Sequence, residues 1–184
     1  MITSYISQIL TELSSVLSKV DNTEVENLIA EIMKAKNIVA VGAGRVGMAT
    51  RGFAMRLGHL GMHAYMLGDA TVPAVGYDDL VLVSSGSGET QTIYDLVQIA
   101  KKNGARIALV TGNPDSRMGK LADVIVKIEA PSKTKAVEGF TSVQPMTTLN
   151  EQCLGVFYDA VVLQLMEVMG ETHDTMWARH SNLE

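Results

Sequence analysis

From Ser84 to Thr90 the chain reads SSGSGET, with the hydroxyls of Ser85, Ser87 and Thr90 set among Gly86 and Gly88. A turn needs one glycine and a helix start needs one capping hydroxyl, so the stretch offers more than a loop requires. The surplus suits an anion. Hydroxyls donate to phosphate oxygens, and glycines let the backbone N–H groups of Gly86, Gly88 and Glu89 close in at a helix start. The stretch therefore reads as a cradle for one phosphate group. The plainer alternative is that Ser87 or Thr90 caps the following helix while the rest is solvated.

A second glycine turn, GAGRVG from Gly42 to Gly47, also follows an apolar run and opens a helix. It matches G-x-G-x-x-G, and Asp69 stands near the place of the ribose-binding acid in a dinucleotide fold. That pattern is loose, and a nest sized for a single phosphate in the other turn counts against a dinucleotide. Gly42 and Gly44 serve either a tight strand-to-helix turn or direct contact with a ligand. Arg45 would project a guanidinium from the same turn, suited to a sugar hydroxyl or a phosphate.

Both turns need a frame to hold them together. The short β-branched runs IVAV, AYML, LVLV, RIALV and VIVKI, beginning at Ile38, alternate with helical stretches. Runs apolar on both faces suit a parallel sheet covered on both sides. The expected fold class is α/β: a three-layer α-β-α sandwich around a five-stranded parallel sheet, flavodoxin- or Rossmann-like. In such sheets ligands sit beyond the carboxyl ends of the strands, where both glycine turns fall. Ahead of the sheet, Ile2, Ile6, Ile9, Leu13, Val16, Leu17 and Val20 line one helical face, and Thr23 with Glu26 matches a capping box that starts a second helix. Gly61 and Gly104 end helices marked by Phe53 and Leu57 and by Ile93 and Val97. A loop carrying Lys133 and Lys135 is either solvated or attracts an anion. It precedes a long apolar-periodic helix from about Thr148 to Met169, and a short helix is expected in the polar tail.

A chain of 184 residues with 47% hydrophobic content is long enough for one domain with a substantial core. The formal net charge of -5 gives no reason to propose a nucleic-acid or anionic membrane partner. Cys153 is the only cysteine, which excludes an internal disulfide and a multi-cysteine zinc site. No basic segment leads into an apolar core at the start, and no apolar run is long enough to cross a bilayer. A soluble, cytoplasmic protein is expected.

Ser85-Gly86-Ser87-Gly88-Glu89-Thr90 matches, residue by residue, the S-x-S-G-E-T sugar-phosphate loop of the sugar isomerase (SIS) domain family, which the chain resembles over nearly its whole length. GAGRVG, FAMRLGHLG from Phe53 to Gly61, and RHSNLE from Arg179 to Glu184 narrow the resemblance to its 6-phospho-3-hexuloisomerase group. One residue departs from the pattern. The family usually places a serine where this chain has Val46, so one phosphate-binding hydroxyl is missing. The resemblance implies a single SIS domain over 1–184, with a substrate site formed by Gly44, Arg45, Ser85, Gly86, Ser87, Gly88, Glu89 and Thr90. It implies a hexulose phosphate as substrate, a homo-oligomer, usually a tetramer, and neither metal nor organic cofactor. It also implies a role in formaldehyde fixation through the ribulose monophosphate pathway, with 3-hexulose-6-phosphate synthase as pathway partner.

Moving a carbonyl between neighbouring carbons through an enediol needs a base beside the acidic C–H and a carrier of protons between the two oxygens. The resemblance puts the catalytic glutamate at Glu151, where the alternative is a first-turn acid complementing a helix dipole. His180 suits proton transfer because histidine titrates near neutrality, or it packs against a neighbouring subunit. His59 shares a helix side with Gly52 and Arg56, opposite Phe53, and is expected at an interface rather than as a second carrier. His63 and His173 are expected at the surface. A rival from another class is a non-catalytic SIS module that binds a sugar phosphate as a signal, which would keep SSGSGET without needing Glu151 or His180.

Overall fold

The computed structural model describes residues 1–131, 137 and 139–183; Lys133 and Lys135 lie outside the described residues. The helices are α1 (Ile2–Leu17), α2 (Asn22–Lys34), α3 (Gly44–His59), α4 (Gln91–Lys102), α5 (Thr148–Met169) and α6 (His173–Trp177). The strands are β1 (Ile38–Gly42), β2 (Ala64–Met66), β3 (Leu80–Ser84), β4 (Arg106–Thr111) and β5 (Val124–Lys127). They form one parallel sheet of five strands in the order β2-β1-β3-β4-β5, the α/β class expected.

Alternation of side chains along the strands divides the core in two. Ile38, Leu80, Leu82, Val110 and Val126 pack with Leu28 of α2, Phe53 and Leu57 of α3, and Phe157 and Val161 of α5. Val39, Val41, Val81, Val83, Ile107 and Leu109 pack on the other side with Ile93 and Val97 of α4. Both faces are thus buried, which is why the strands read as unbroken apolar runs.

Two expectations need correction. The cap of α2 is Asp21, whose Oδ1 accepts from the N–H groups of Thr23 (2.7 Å) and Glu24 (3.2 Å), so the Thr23–Glu26 capping box does not form. A carboxylate one residue ahead of the helix reaches two free donors at once and outcompetes a box begun inside the first turn. The second concerns α5, whose 22 residues at a hydropathy of 1.3 are long and apolar enough to cross a membrane by length and composition. Here that helix is a core element: Leu149, Cys153, Leu154, Phe157, Tyr158, Val161 and Leu165 are buried against the rest of the fold. Burial pushes the Cys153 thiol up to about 12, with the Glu12 carboxylate adding to the shift, which leaves it a packing residue rather than a reactive one.

Candidate active site

The chain leaves β1 toward one edge of the sheet and β3 toward the other, and the register aligns Gly42 with Ser84 at the ends of these adjacent strands. This is the switch point of an open parallel sheet, so the two glycine turns emerge side by side. A crevice of about 370 Å³ opens there, and α3, α4 and α5 all bring their N-terminal ends to it. Three converging helix starts favour a negatively charged occupant.

In the first turn the outer glycines serve packing. A Cβ on Gly47 would stand 2.6 Å from the Gly42 carbonyl oxygen, so the close approach of α3 to β1 requires glycine. Gly44, Arg45 and Val46 line the crevice. Asp69 does not: its carboxylate holds Arg51 at 2.9 Å, which removes the acid that a dinucleotide reading needs.

In the second turn Ser85, Gly86, Ser87 and Thr90 line the crevice, whereas Gly88 and Glu89 do not. Gly88 has φ +65°, with Ser116 Oγ 2.0 Å from where a Cβ would be, and this left-handed bend returns its N–H to the Ser85 carbonyl. The Glu89 N–H is also used within the loop, donating to Ser87 Oγ at 3.2 Å. The donors left facing outward are the N–H groups of Gly86, Ser87 and Thr90, which have no acceptor among the described residues. The cradle is therefore shifted from the expected donor set.

Glu89 has another role. Its carboxylate accepts from Arg117 Nε (2.6 Å) and the Arg117 N–H (2.8 Å), while Arg117 Nη2 donates to the Glu89 carbonyl (2.9 Å). The Arg117 side chain also lies over the Tyr94 ring, 4.5 Å from its centre. These contacts with Arg117 hold the Glu89 carboxyl below the usual carboxylate range and fasten the loop from behind.

Glu151 sits in the first turn of α5 and lines the crevice with its side chain largely covered. Its Oε2 meets Arg45 Nη1 at 3.0 Å, and its Oε1 accepts from Thr147 Oγ1 at 2.9 Å. Arg45 Nη1 also reaches Thr148 Oγ1 at 3.2 Å. Residues that sequence reasoning missed stand around this pair. Met146 holds a left-handed φ of 58° at the crevice, and Asn150 is 5% exposed at the crevice wall. A buried chain of hydroxyls supports the floor: Thr50 Oγ1 shares a hydrogen bond with Ser84 Oγ (2.8 Å), which shares another with the Tyr158 OH (2.6 Å). The available signal was position, since Thr147, Thr148 and Asn150 flank the acid at a helix start.

His180 is not brought to this crevice. Its ring lies 5.2 Å from that of His59, at the far end of α3 from Gly44, which is roughly 22 Å at ~1.5 Å per residue. The separation exceeds the reach of any side chain, so the carrier expected at His180 and the base expected at Glu151 stand at opposite ends of the sheet. His59 is buried although it was expected opposite the core, because the tail folds over it: Arg179 Nη1 donates to the His59 carbonyl at 3.0 Å. His63 and His173 are exposed. No group of three or more His, Cys, Asp or Glu side chains arranged to hold a metal occurs among the described residues.

The SIS domain family model matches residues 31–155. A 3-hexulose-6-phosphate isomerase of Bacillus subtilis is 39% identical over 182 residues, covering 99% of this chain and 98% of that one. One from Mycobacterium gastri is 40% identical over 183 residues, covering 100% and 92%. A crystal structure of a Methanococcus jannaschii protein, for which the function 3-hexulose-6-phosphate isomerase was inferred, superposes with a TM-score of 0.85 at 28% identity, covering 98% and 99%.

Proposed function

The chain belongs to the SIS domain family, and from that premise we propose that it is an isomerase interconverting D-arabino-3-hexulose 6-phosphate and fructose 6-phosphate through an enediol. One observation carries this reading: a covered carboxylate, Glu151, lines the same crevice as the hydroxyl-rich turn at the start of α4. A phosphate held by that turn anchors one end of the sugar and leaves the other for a base.

In the forward direction Glu151 takes the proton from C2 of the 3-ketose and returns it at C3, while the carbonyl moves from C3 to C2. The C6 phosphate lies against Ser85, Ser87 and Thr90 and the outward N–H groups of Gly86, Ser87 and Thr90. Arg45 leaves Glu151 for an oxygen of the substrate, which frees Oε2 to act as the base. The step as written calls on no metal or organic cofactor.

The whole of 1–184 is taken as one SIS domain, and the assembly as a homotetramer. Exposed apolar side chains support association: Ile2, Tyr5 and Leu10 on α1, Met48 and Met55 on α3, and Leu163 on α5. In such an assembly a proton carrier at His180 would serve the crevice of a neighbouring copy, given its distance from its own. The cytoplasm is the site of action, with 3-hexulose-6-phosphate synthase supplying the 3-ketose in the ribulose monophosphate pathway of formaldehyde fixation.

The test is isotopic. Incubated with fructose 6-phosphate in heavy water, the protein should place deuterium at C3, because the reverse reaction removes that proton. Label at C1 would instead mark a 1,2-isomerase, and bound but unlabelled sugar would leave a binding module.

A further inference from the structure

We propose that the Asn150 carboxamide binds the phosphate of the substrate, supplying from α5 the donor that Val46 withholds on α3. The inference rests on the phosphosugar reading above and adds a residue to it.

Asn150 is 5% exposed, and its carboxamide makes no hydrogen bond to another described residue. The amide is not among the fully covered polar atoms that lack a partner, and the residue lines the crevice wall, where a ligand can complete its hydrogen bonds. It stands at the third position of α5, yet it does no capping work: the Thr147 hydroxyl is turned to Glu151. Its surroundings place it against the phosphate loop. A Cβ on Gly86 would meet Asn150 Oδ1 at 2.7 Å and Nδ2 at 3.4 Å, so the amide lies flat on the glycine with its nitrogen the farther atom.

Below the crevice is a hollow of about 10 Å³, closed by Val46 and Asn150 together with Val110, Ile128 and Leu154. The polar side chains there are engaged elsewhere. Ser85 Oγ accepts from the Gly88 N–H at 3.2 Å, and Thr111 Oγ1 donates to the Gly86 carbonyl and accepts from the Asn113 N–H. Nothing on that side satisfies the amide, and Asn150 also lines the crevice shared with Ser87, Arg45 and Glu151, where a ligand can. Val46 and Asn150 face each other across the hollow from two helices, one apolar where a hydroxyl would serve and one polar where a core residue would pack.

Calorimetric titration with inorganic phosphate and with fructose 6-phosphate tests this, using the full chain, Asn150→Leu and the double variant Val46→Ser/Asn150→Leu. Loss of one hydrogen bond to a charged group predicts about tenfold weaker binding of both ligands by Asn150→Leu. Its ligand-free melting temperature should stay level or rise, since an unpartnered amide has been replaced by an isosteric apolar group. The double variant should recover most of the affinity. Unchanged phosphate binding in Asn150→Leu overturns the proposal, as does weakening confined to the sugar phosphate, or weakening with a lowered melting temperature and no recovery in the double variant. Failure of the parent chain to bind either ligand would remove the phosphosugar reading as well, whereas binding without C3 exchange would remove only the isomerase and leave the Asn150 assignment standing.

Discussion

Arg45 Nη1 rests 3.0 Å from Glu151 Oε2, while Thr147 Oγ1 holds the other carboxylate oxygen at 2.9 Å. The carboxylate is thus oriented from both oxygens, on one side by a guanidinium whose side chain is itself half exposed. Glu151→Gln keeps the shape and removes the proton acceptor. Its kcat should fall by a factor of roughly 10² to 10⁴, with KM for fructose 6-phosphate little changed. Arg45→Ala should act differently, raising KM more than it lowers kcat. Near-normal turnover in Glu151→Gln would take the residue out of the mechanism.

Glu89 carries a different expectation because its carboxylate is spent on Arg117. Glu89→Gln loses two charge-assisted contacts that fasten the loop from behind, and the phosphate cradle in front should loosen. A rise in KM of about three- to tenfold with kcat preserved is expected, matched by Arg117→Ala. A collapse of kcat in Glu89→Gln alone would instead indicate contact with the reacting carbons.

How far the sequence revealed this site depends on whether neighbours in space were neighbours along the chain. The inner strands β1, β3 and β4 were legible because burial on both faces writes itself as unbroken apolar runs. SSGSGET was legible because hydroxyls and glycines at one helix start need no distant partner. The role of the Glu89 carboxylate was not legible for the converse reason: its partner is Arg117, 28 positions on, and nothing local announces that pairing. The Thr50–Ser84–Tyr158 hydroxyls span three elements, and each looks alone like a small polar residue or a core aromatic. His180 attracted attention through its titration range, yet the direction in which the tail folds was not legible, and it places the ring at the end of α3 away from its own chain's crevice.

Glu12 on α1 offers a pH-dependent tie to the site. Its carboxylate accepts from Ser142 Oγ (2.7 Å), the Val143 N–H (2.7 Å) and Gln144 Nε2 (2.9 Å), in the segment that leads into the crevice residues Met146 to Glu151. Burial alone would raise this carboxyl, but the three donors outweigh it and hold it below its usual value. A group lowered on folding adds stability above its unfolded value, about 4.3 for glutamate, and loses it as pH falls through the folded value. Melting temperature should therefore decline as pH drops below about 4. Glu12→Ala should flatten that part of the decline and cost about 1 kcal/mol at neutral pH. An unchanged acid limb in Glu12→Ala would show that other carboxylates set it.

Val46→Ser tests the departure from the family pattern directly. Val46 lines the crevice and also packs against the core that holds Phe53 and Leu154, so the change trades apolar contact for a hydroxyl. An added hydrogen bond to a charged group contributes about 1.5 to 3 kcal/mol at best. The gain here should be smaller, because Asn150 already lines the same hollow and a second donor there competes for the same oxygens. Affinity for both inorganic phosphate and fructose 6-phosphate should rise by only about two- to fivefold, with a loss of about 1 kcal/mol in stability from the missing methyl groups. In the Asn150→Leu background the same substitution should give a larger gain, since the competing donor is gone. Equal gains in the two backgrounds would mean that the two side chains act on different parts of the ligand. A loss of affinity in both would mean that the valine packs against the ligand itself.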